Sequence, residues 1–473
     1  MGIRQKFPLL TLLCMLAAAP LVAATITVTT VADVDLDDGA CSLREAIVAA
    51  NDDVVWHGCS AGSGADRILF ELGGASPIAL AAALPPIEES LLLRGPDSGS
   101  LEISGGQLWP ILDASTNTPG VWLGVEDLRL VDGAGDGGGA LVVSSGTTAE
   151  LRRVRIMNSV ATVGGGALWV SGTPTSPGSA TLVDCEIWGN SSLGPSGGGA
   201  IRIIGPGAQV VIRRSVLAMN ETAGFNGGAI AVQNGNLVVE SSTLSGNAAD
   251  GFGGAIHANF SAIDGELRIV DTTISDNAAN ADSDGSGDGG GLSVVTQSGF
   301  AATIGIRNSI VAGNSDAGGV VDPDLYFSAG STVDWASEGF NLIGSNAGAT
   351  SVVAAGTPNG EGDQVGSAAV PIDPLLEPLN NWGIGALATH RPQFSPPSPA
   401  LDAGGCPAAR GDQRGYGDPA LGRRIVDLAA IPDAPGSDGC DIGAHERNAL
   451  PGGELFGNGF EEGNTLLWST EVL

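Results

Sequence analysis

Between Gly137 and Asn314 one pattern recurs, and it decides what the chain can become. A glycine run, a small residue and an aliphatic residue appear as Gly138-Gly139-Ala140-Leu141, Gly165-Gly166-Ala167-Leu168, Gly198-Gly199-Ala200-Ile201, Gly227-Gly228-Ala229-Ile230 and Gly253-Gly254-Ala255-Ile256, then as Gly290-Gly291-Leu292. Successive copies lie 26 to 37 residues apart. Each unit closes on an aliphatic residue three before an asparagine: Ile187 and Asn190, Leu217 and Asn220, Leu244 and Asn247, Ile274 and Asn277, Val311 and Asn314. A repeat of about 20–50 residues marks a stack of small units, each too short to bury a core alone.

Aligned on the asparagine, the units show their internal layout. Aliphatic residues stand ten and eight positions before it, as in Val210 and Ile212 or Leu267 and Ile269, with Arg213, Glu240 or Arg307 following. Alternation of period two predicts a strand with one face buried. A polar residue six before the asparagine (Asp184, Arg214, Ser241, Asp271, Asn308) marks a bend into a second short strand. The glycine-led segment supplies a third, with Ile201 and Ile203, or Leu292 and Val294, facing inward. Three short strands per turn predict an all-β fold, a single-stranded parallel β-helix. Its rungs stack about 4.8 Å apart. At that spacing Asn190, Asn220, Asn247, Asn277 and Asn314 can form a buried ladder of side-chain amides. Each bond is worth about 1 kcal/mol, and a stranded amide costs about 1–3 kcal/mol. Upstream, Asn158 and Asp132 fall one residue out of this register, so either the turn tightens there or Ser159 takes the ladder place.

The ends read differently. Arg4 and Lys6 precede an apolar run and the small residues Val22-Ala23-Ala24, the pattern of a signal peptide over residues 1–24. Cys14, inside that run and preceded by Leu13, belongs to the removed peptide. No later stretch is long and apolar enough to span a membrane. Acidic residues number 52 against 20 basic ones, for a net charge of −32. That balance excludes nucleic acid and anionic membranes as partners and favours solubility outside the cell. Ser42-Leu43-Arg44-Glu45 is a capping box opening a short helix, with Leu43, Ala46, Ile47 and Ala50 on one face. Such a helix can cover the open edge of the first rung. In an exported chain, Cys41 with Cys59 and Cys406 with Cys440 predict one disulfide at each end, and Cys185 is left as a small core residue. The expected organisation is an N-terminal cap over 25–66, the β-helix over 67–345, a loop-rich closing segment over 346–446 and a tail over 447–473.

Several of these residues carry a resemblance. Cys41-Ser-Leu-Arg-Glu-Ala46, followed by Asp66-Arg-Ile-Leu-Phe70, resembles the opening motif of bacterial CSLREA-domain proteins. The glycine-led units resemble right-handed, pectate-lyase-like β-helices and, distantly, the repeats of polymorphic outer membrane proteins. Ser398-Pro-Ala-Leu-Asp402, Asp412-Gln-Arg-Gly415 and Cys440-Asp-Ile-Gly-Ala-His-Glu446 resemble the choice-of-anchor Q domain. The resemblance implies a secreted or outer-surface protein, a right-handed coil and no defined reaction.

Function is left to the outward positions of the glycine-led strand. In successive rungs these are Val142, Trp169, Arg202, Ala231, His257 and Ser293, joined one step on by Gln233 and Asn259. Trp and Arg can stack on and hydrogen-bond sugars. Trp169, Arg202, Gln233, His257 and Asn259 are therefore candidate ligand-binding residues, with no residue assigned to catalysis. The leading expectation is an adhesin-like or glycan-binding protein of the cell surface, its partner an extracellular polysaccharide or a host or envelope surface. A polysaccharide lyase or glycoside hydrolase acting on an acidic glycan is the alternative, and a structural envelope protein the third. No cofactor is required. Asp282, Asp284 and Asp288, in a glycine-rich loop, space oxygen donors as calcium would want, although the same loop also reads as a solvated turn.

Overall fold

The computed structural model describes residues 23–447 and 450–451, apart from 75, 97–98, 117, 318–322, 357–360, 383–386, 407–410, 418–427 and 429–430. All but the last two residues of the expected signal peptide, and almost all of the expected tail, lie outside the described residues. The chain winds as a parallel β-solenoid with one helix among the described residues. Among the described residues the strands of the coil fall into four parallel sheets of 11, 8, 11 and 7 strands, and Tyr416–Gly417 pairs antiparallel with Leu450–Pro451 apart from them. Three correspond to the strands expected per turn. The fourth was not expected. It is built from pieces as short as two residues, such as Ser191–Ser192, Glu221–Thr222 and Ala248–Ala249, directly after the ladder asparagines.

Register is strict because one face of each strand is sealed. In the first sheet Leu151, Leu182, Ile212, Val239, Ile269 and Ile306 stack, all at 0% exposure. A one-residue slip would turn that row to solvent. The bend six residues before the ladder is left-handed in every regular rung, with φ of 57° at Asp184, 45° at Arg214, 46° at Ser241, 50° at Asp271 and 45° at Asn308. Polar side chains tolerate that conformation better than branched ones, which explains the polar bend.

The ladder forms as expected. Asn190 Nδ2 donates to Asn220 Oδ1 at 3.0 Å, Asn220 to Asn247 at 2.9 Å, Asn247 to Asn277 at 2.8 Å and Asn277 to Asn314 at 2.9 Å. Each Oδ1 also takes the backbone N–H of the preceding asparagine. The upstream alternative resolves to Ser159, whose N–H donates to Asn190 Oδ1 at 2.9 Å. A second row runs beside the first: Cys185 N–H to Ser215 Oγ, Ser215 N–H to Ser242 Oγ, Ser309 N–H to Asn341 Oδ1 and Asn341 N–H to Asp363 Oδ1.

The N-terminal end is sealed by α1 (Leu43–Asp52), whose capping box is complete: Ser42 Oγ accepts from Glu45 N–H and Glu45 Oε2 from Ser42 N–H. Leu43, Ala46 and Ile47 join Ile26, Val28 and Ile68 in one core. Both cysteine pairs are bonded, Cys41–Cys59 and Cys406–Cys440, and Cys185 is buried. The closing segment lies along the side of the solenoid, on the outer face of the third sheet. Ile310, Ala312 and Leu342 pack against Ala400, Ala403 and Ile442. Polar contacts fix the rest: Ser245 Oγ to His390 Nε2 at 2.8 Å, and Ala444 N–H to Thr273 Oγ1 at 3.0 Å. Where the segment docks, outward residues are small, hydroxylated or apolar (Val216, Thr243, Thr273, Ile310). Upstream the same row is charged, as Glu102, Arg129, Arg155 and Glu186.

Candidate functional site

The outer face of the second sheet carries the candidate residues. Its register places Asp113, Val142, Trp169, Arg202, Ala231, His257, Ser293 and Tyr326 in one row. Gln233 and Asn259 are register partners in the adjoining row. The expected stripe therefore exists as a column, yet it divides into an open part and a covered part.

The open part is a cleft of about 410 Å³ lined by Asp113, Val142 and Trp169 from the second sheet and by Asp136 and Val163 from the fourth, with Pro110 at its edge. The indole of Trp169 leans over bare backbone. A Cβ at Gly137 would stand 2.9 Å from its Cε3, and one at Gly164 would stand 3.4 Å from its Cζ3. The absent side chain at Gly137 makes room for the ring, whereas at Gly164 the tighter neighbours are Ser196 Cβ at 2.8 Å and the Gly197 carbonyl at 2.9 Å. Each carboxylate is anchored through one oxygen, Asp113 Oδ1 by Ser115 N–H at 2.8 Å and Asp136 Oδ1 by Thr162 Oγ1 at 2.9 Å. An aromatic ring flanked by two fixed acceptors suits a polyhydroxylated ligand with an apolar face.

The covered part begins at Arg202, which is 5% exposed, and continues through His257 at 6%. Phe252, on the turn before its own strand, lies 6.3 Å from His257 and stacks on Tyr326 at 5.3 Å. Arg202 Nη2 donates to Gln233 Oε1, while its buried Nε has no partner. Burial pushes the guanidinium down to about 10. His257 Nδ1 lies 3.2 Å from Ser293 Oγ. Burial, and then the positive charge of Arg202, push its imidazole down to about 4, so it is neutral at physiological pH. Asn259 Oδ1 is buried without a partner. Among the described residues no carboxylate comes within ion-pair reach of Arg202 or His257. The Arg–His–carboxylate convergence that a lyase or hydrolase at this spot would need is not formed.

The calcium-loop residues adjoin the covered end of this face, beside the turn that carries Phe252. Asp282 Oδ1 accepts from Asp284 N–H and Asp284 Oδ1 from Ser286 N–H, both local turns, and the Asp288 carbonyl accepts from Gly253 N–H in the preceding rung. The converging metal-donor sets among the described residues lie elsewhere: Asp35, Glu45 and His57 in the N-terminal cap, and Asp438 beside the Cys406–Cys440 disulfide. Sequence reasoning missed Asp113, Asp136, Phe252 and Tyr326. Asp113 could have been found by extending the alignment one irregular rung upstream, through Leu112-Asp113-Ala114. Asp136 belongs to the unforeseen fourth sheet, and no local signal tied it to Trp169.

Comparison with known proteins returns no matching family model and no matching curated protein. Fold and site define the class: a parallel β-solenoid with an aromatic-floored cleft on one outer face.

Proposed function

We propose that this protein is a secreted or cell-surface β-helix that binds glycans without cleaving them, in the manner of an adhesin. The observation that carries this reading is Trp169, seated over Gly137 in a cleft that the anchored carboxylates of Asp113 and Asp136 also line. A ring held that way offers a stacking platform, and the two carboxylates offer acceptors for sugar hydroxyls. Export is supported by the leader-like residues 1–24, the two disulfides and the absence of lysine after Lys6. The CSLREA-like and choice-of-anchor-like motifs agree with an outer-surface location and a right-handed coil. No cofactor is needed, and calcium at Asp282, Asp284 and Asp288 would order a turn beside Phe252, at the covered end of the row.

A second reading, polysaccharide hydrolysis, draws on the same cleft, because two carboxylates line it. A panel of immobilised polysaccharides probed with the intact protein tests both, with released reducing ends and unsaturated products measured in parallel. Retention without new chain ends supports binding. New ends that vanish in Asp113→Asn support hydrolysis. Neither retention nor cleavage on any glycan leaves a structural envelope role.

A further inference from the structure

In a chain with 52 acidic and 20 basic residues, an arginine finds a carboxylate easily. Arg44 pairs with Asp33, Arg153 with Asp127, Arg213 with Glu240, Arg214 with Asp184, Arg391 with Glu377 and Arg414 with Asp412. Arg202 does not. It is 5% exposed, its side-chain partner is the neutral amide of Gln233, and its Nε has none. Leaving a charge buried without a counter-ion is strongly unfavourable. Arg202 also lies outside the core, at an outward position between inward Ile201 and Ile203. In the row it is the register partner of Trp169, about 4.8 Å farther along the axis. A sugar ring stacked on the indole sets its substituents over that guanidinium.

We propose that the glycan bound along this face carries an anionic group, a carboxylate or a sulfate ester, and that Arg202 receives it; this rests on the glycan-binding reading. The planar guanidinium fork matches either anion through two parallel N–H donors. The acidic surface elsewhere repels a dense polyanion. The ligand class is therefore a sparsely charged polysaccharide, with neutral sugars at Asp113 and Trp169 and the anion one rung on.

Calorimetric titration of the intact protein tests this. The probes are oligosaccharides of a uronic-acid-containing polysaccharide, the same oligosaccharides after carboxyl reduction, and a sparsely sulfated neutral glycan. The expected result is at least a tenfold preference for a charged form over the reduced one. Arg202→Gln should abolish the preference, so that the charged and reduced forms bind alike. Arg202→Lys, which keeps the charge and loses the fork, should retain part of it. Trp169→Ala should weaken charged and reduced forms alike. Preference for a carboxylated but not a sulfated probe identifies a uronate, and the reverse a sulfate ester. Equal affinity for charged and reduced forms, lost in Trp169→Ala, overturns the anion assignment and leaves glycan binding standing. Charge preference that survives in Arg202→Gln also overturns it. No binding of any probe overturns both.

Discussion

Asn314 hands the buried amide ladder to a carboxylate: Oδ1 of Asp324 accepts the Asn314 side-chain amide at 2.9 Å and its backbone N–H at 3.1 Å. The parallel row ends the same way, with Asn341 donating both its N–H and its Nδ2 to Asp363 Oδ1 at 2.9 Å. Both donors of the last asparagine point toward the C-terminal end, so the terminator must only accept. An ionised carboxylate does that, at the cost of burying a charge.

That cost is visible at Asp324, 3% exposed and pushed up to about 6 by burial, with donors at Asn314 and Ser345 pulling partly the other way. The folded state holds this proton in a window, from about pH 4 to 6, where the unfolded chain has lost it. This group therefore adds stability as pH falls through 6, and the gain is lost as pH rises. Against Asp324→Asn, the native protein should gain on the order of 2–3 kcal/mol between pH 7 and pH 4. Urea unfolding of both proteins across that range checks it; a constant difference would contradict it.

An interior rung should tolerate less. Asn247→Ala leaves the Asn220 amide and backbone N–H without their shared acceptor and the Leu217 carbonyl without its donor. The expected loss is about 2–4 kcal/mol, measured by denaturant unfolding. Ser159→Ala, at the ladder's start, should cost less because Ser159 contributes one hydroxyl rather than an amide.

The closing segment should detach before the solenoid unfolds. His390 is 2% exposed, with Nε2 at Ser245 and Nδ1 at the Glu377 carbonyl. Burial pushes its pKa down, while the Glu377 carbonyl and Asp276 pull it partly back up. Its folded pKa lies below the ordinary value of about 6.5. Docking is thus fully supported above that value and weakens as pH falls below it. Limited proteolysis between residues 373 and 447 should accelerate from pH 7 to pH 5, and His390→Gln should flatten the change. Ile310→Glu should expose the same segment at pH 7 with the β signal in circular dichroism retained.

Gly137→Ala should move the Trp169 indole without unfolding the rung, because the added Cβ would meet the ring at 2.9 Å and Gly137 does not have a positive φ. Glycan affinity should fall severalfold with the melting temperature nearly unchanged. Unaltered affinity would separate the ring's position from binding.

The repeat made most of the coil legible, because stacking forces equivalent positions to share one chemistry. Leu182, Ile212 and Val239 declare the core, and Asn190 to Asn314 declare the ladder. The fourth sheet escaped because Ser191–Ser192 or Ala248–Ala249 is too short to show a period. The docking face of the closing segment was written in the sequence as the change from Glu186 to Val216, Thr243 and Thr273, a signal readable only once those positions are known to face outward. The row from Trp169 to Ser293 was legible for the same reason. The burial of Arg202 and the approach of Phe252 to His257 were not, since Phe252 comes from a turn whose path no local pattern fixes.

The central claim is that the cleft around Trp169 binds glycans. The direct test is the affinity of the intact protein for its best-retained polysaccharide, beside Trp169→Ala and a distant control, Trp188→Ala, on the third sheet. Stacking a sugar's apolar face on the indole removes apolar surface from water, worth roughly 25 cal/mol per Å². Trp169→Ala should lose tenfold or more in affinity with the fold intact, and Trp188→Ala should lose none. Equal affinities in all three proteins would contradict the account.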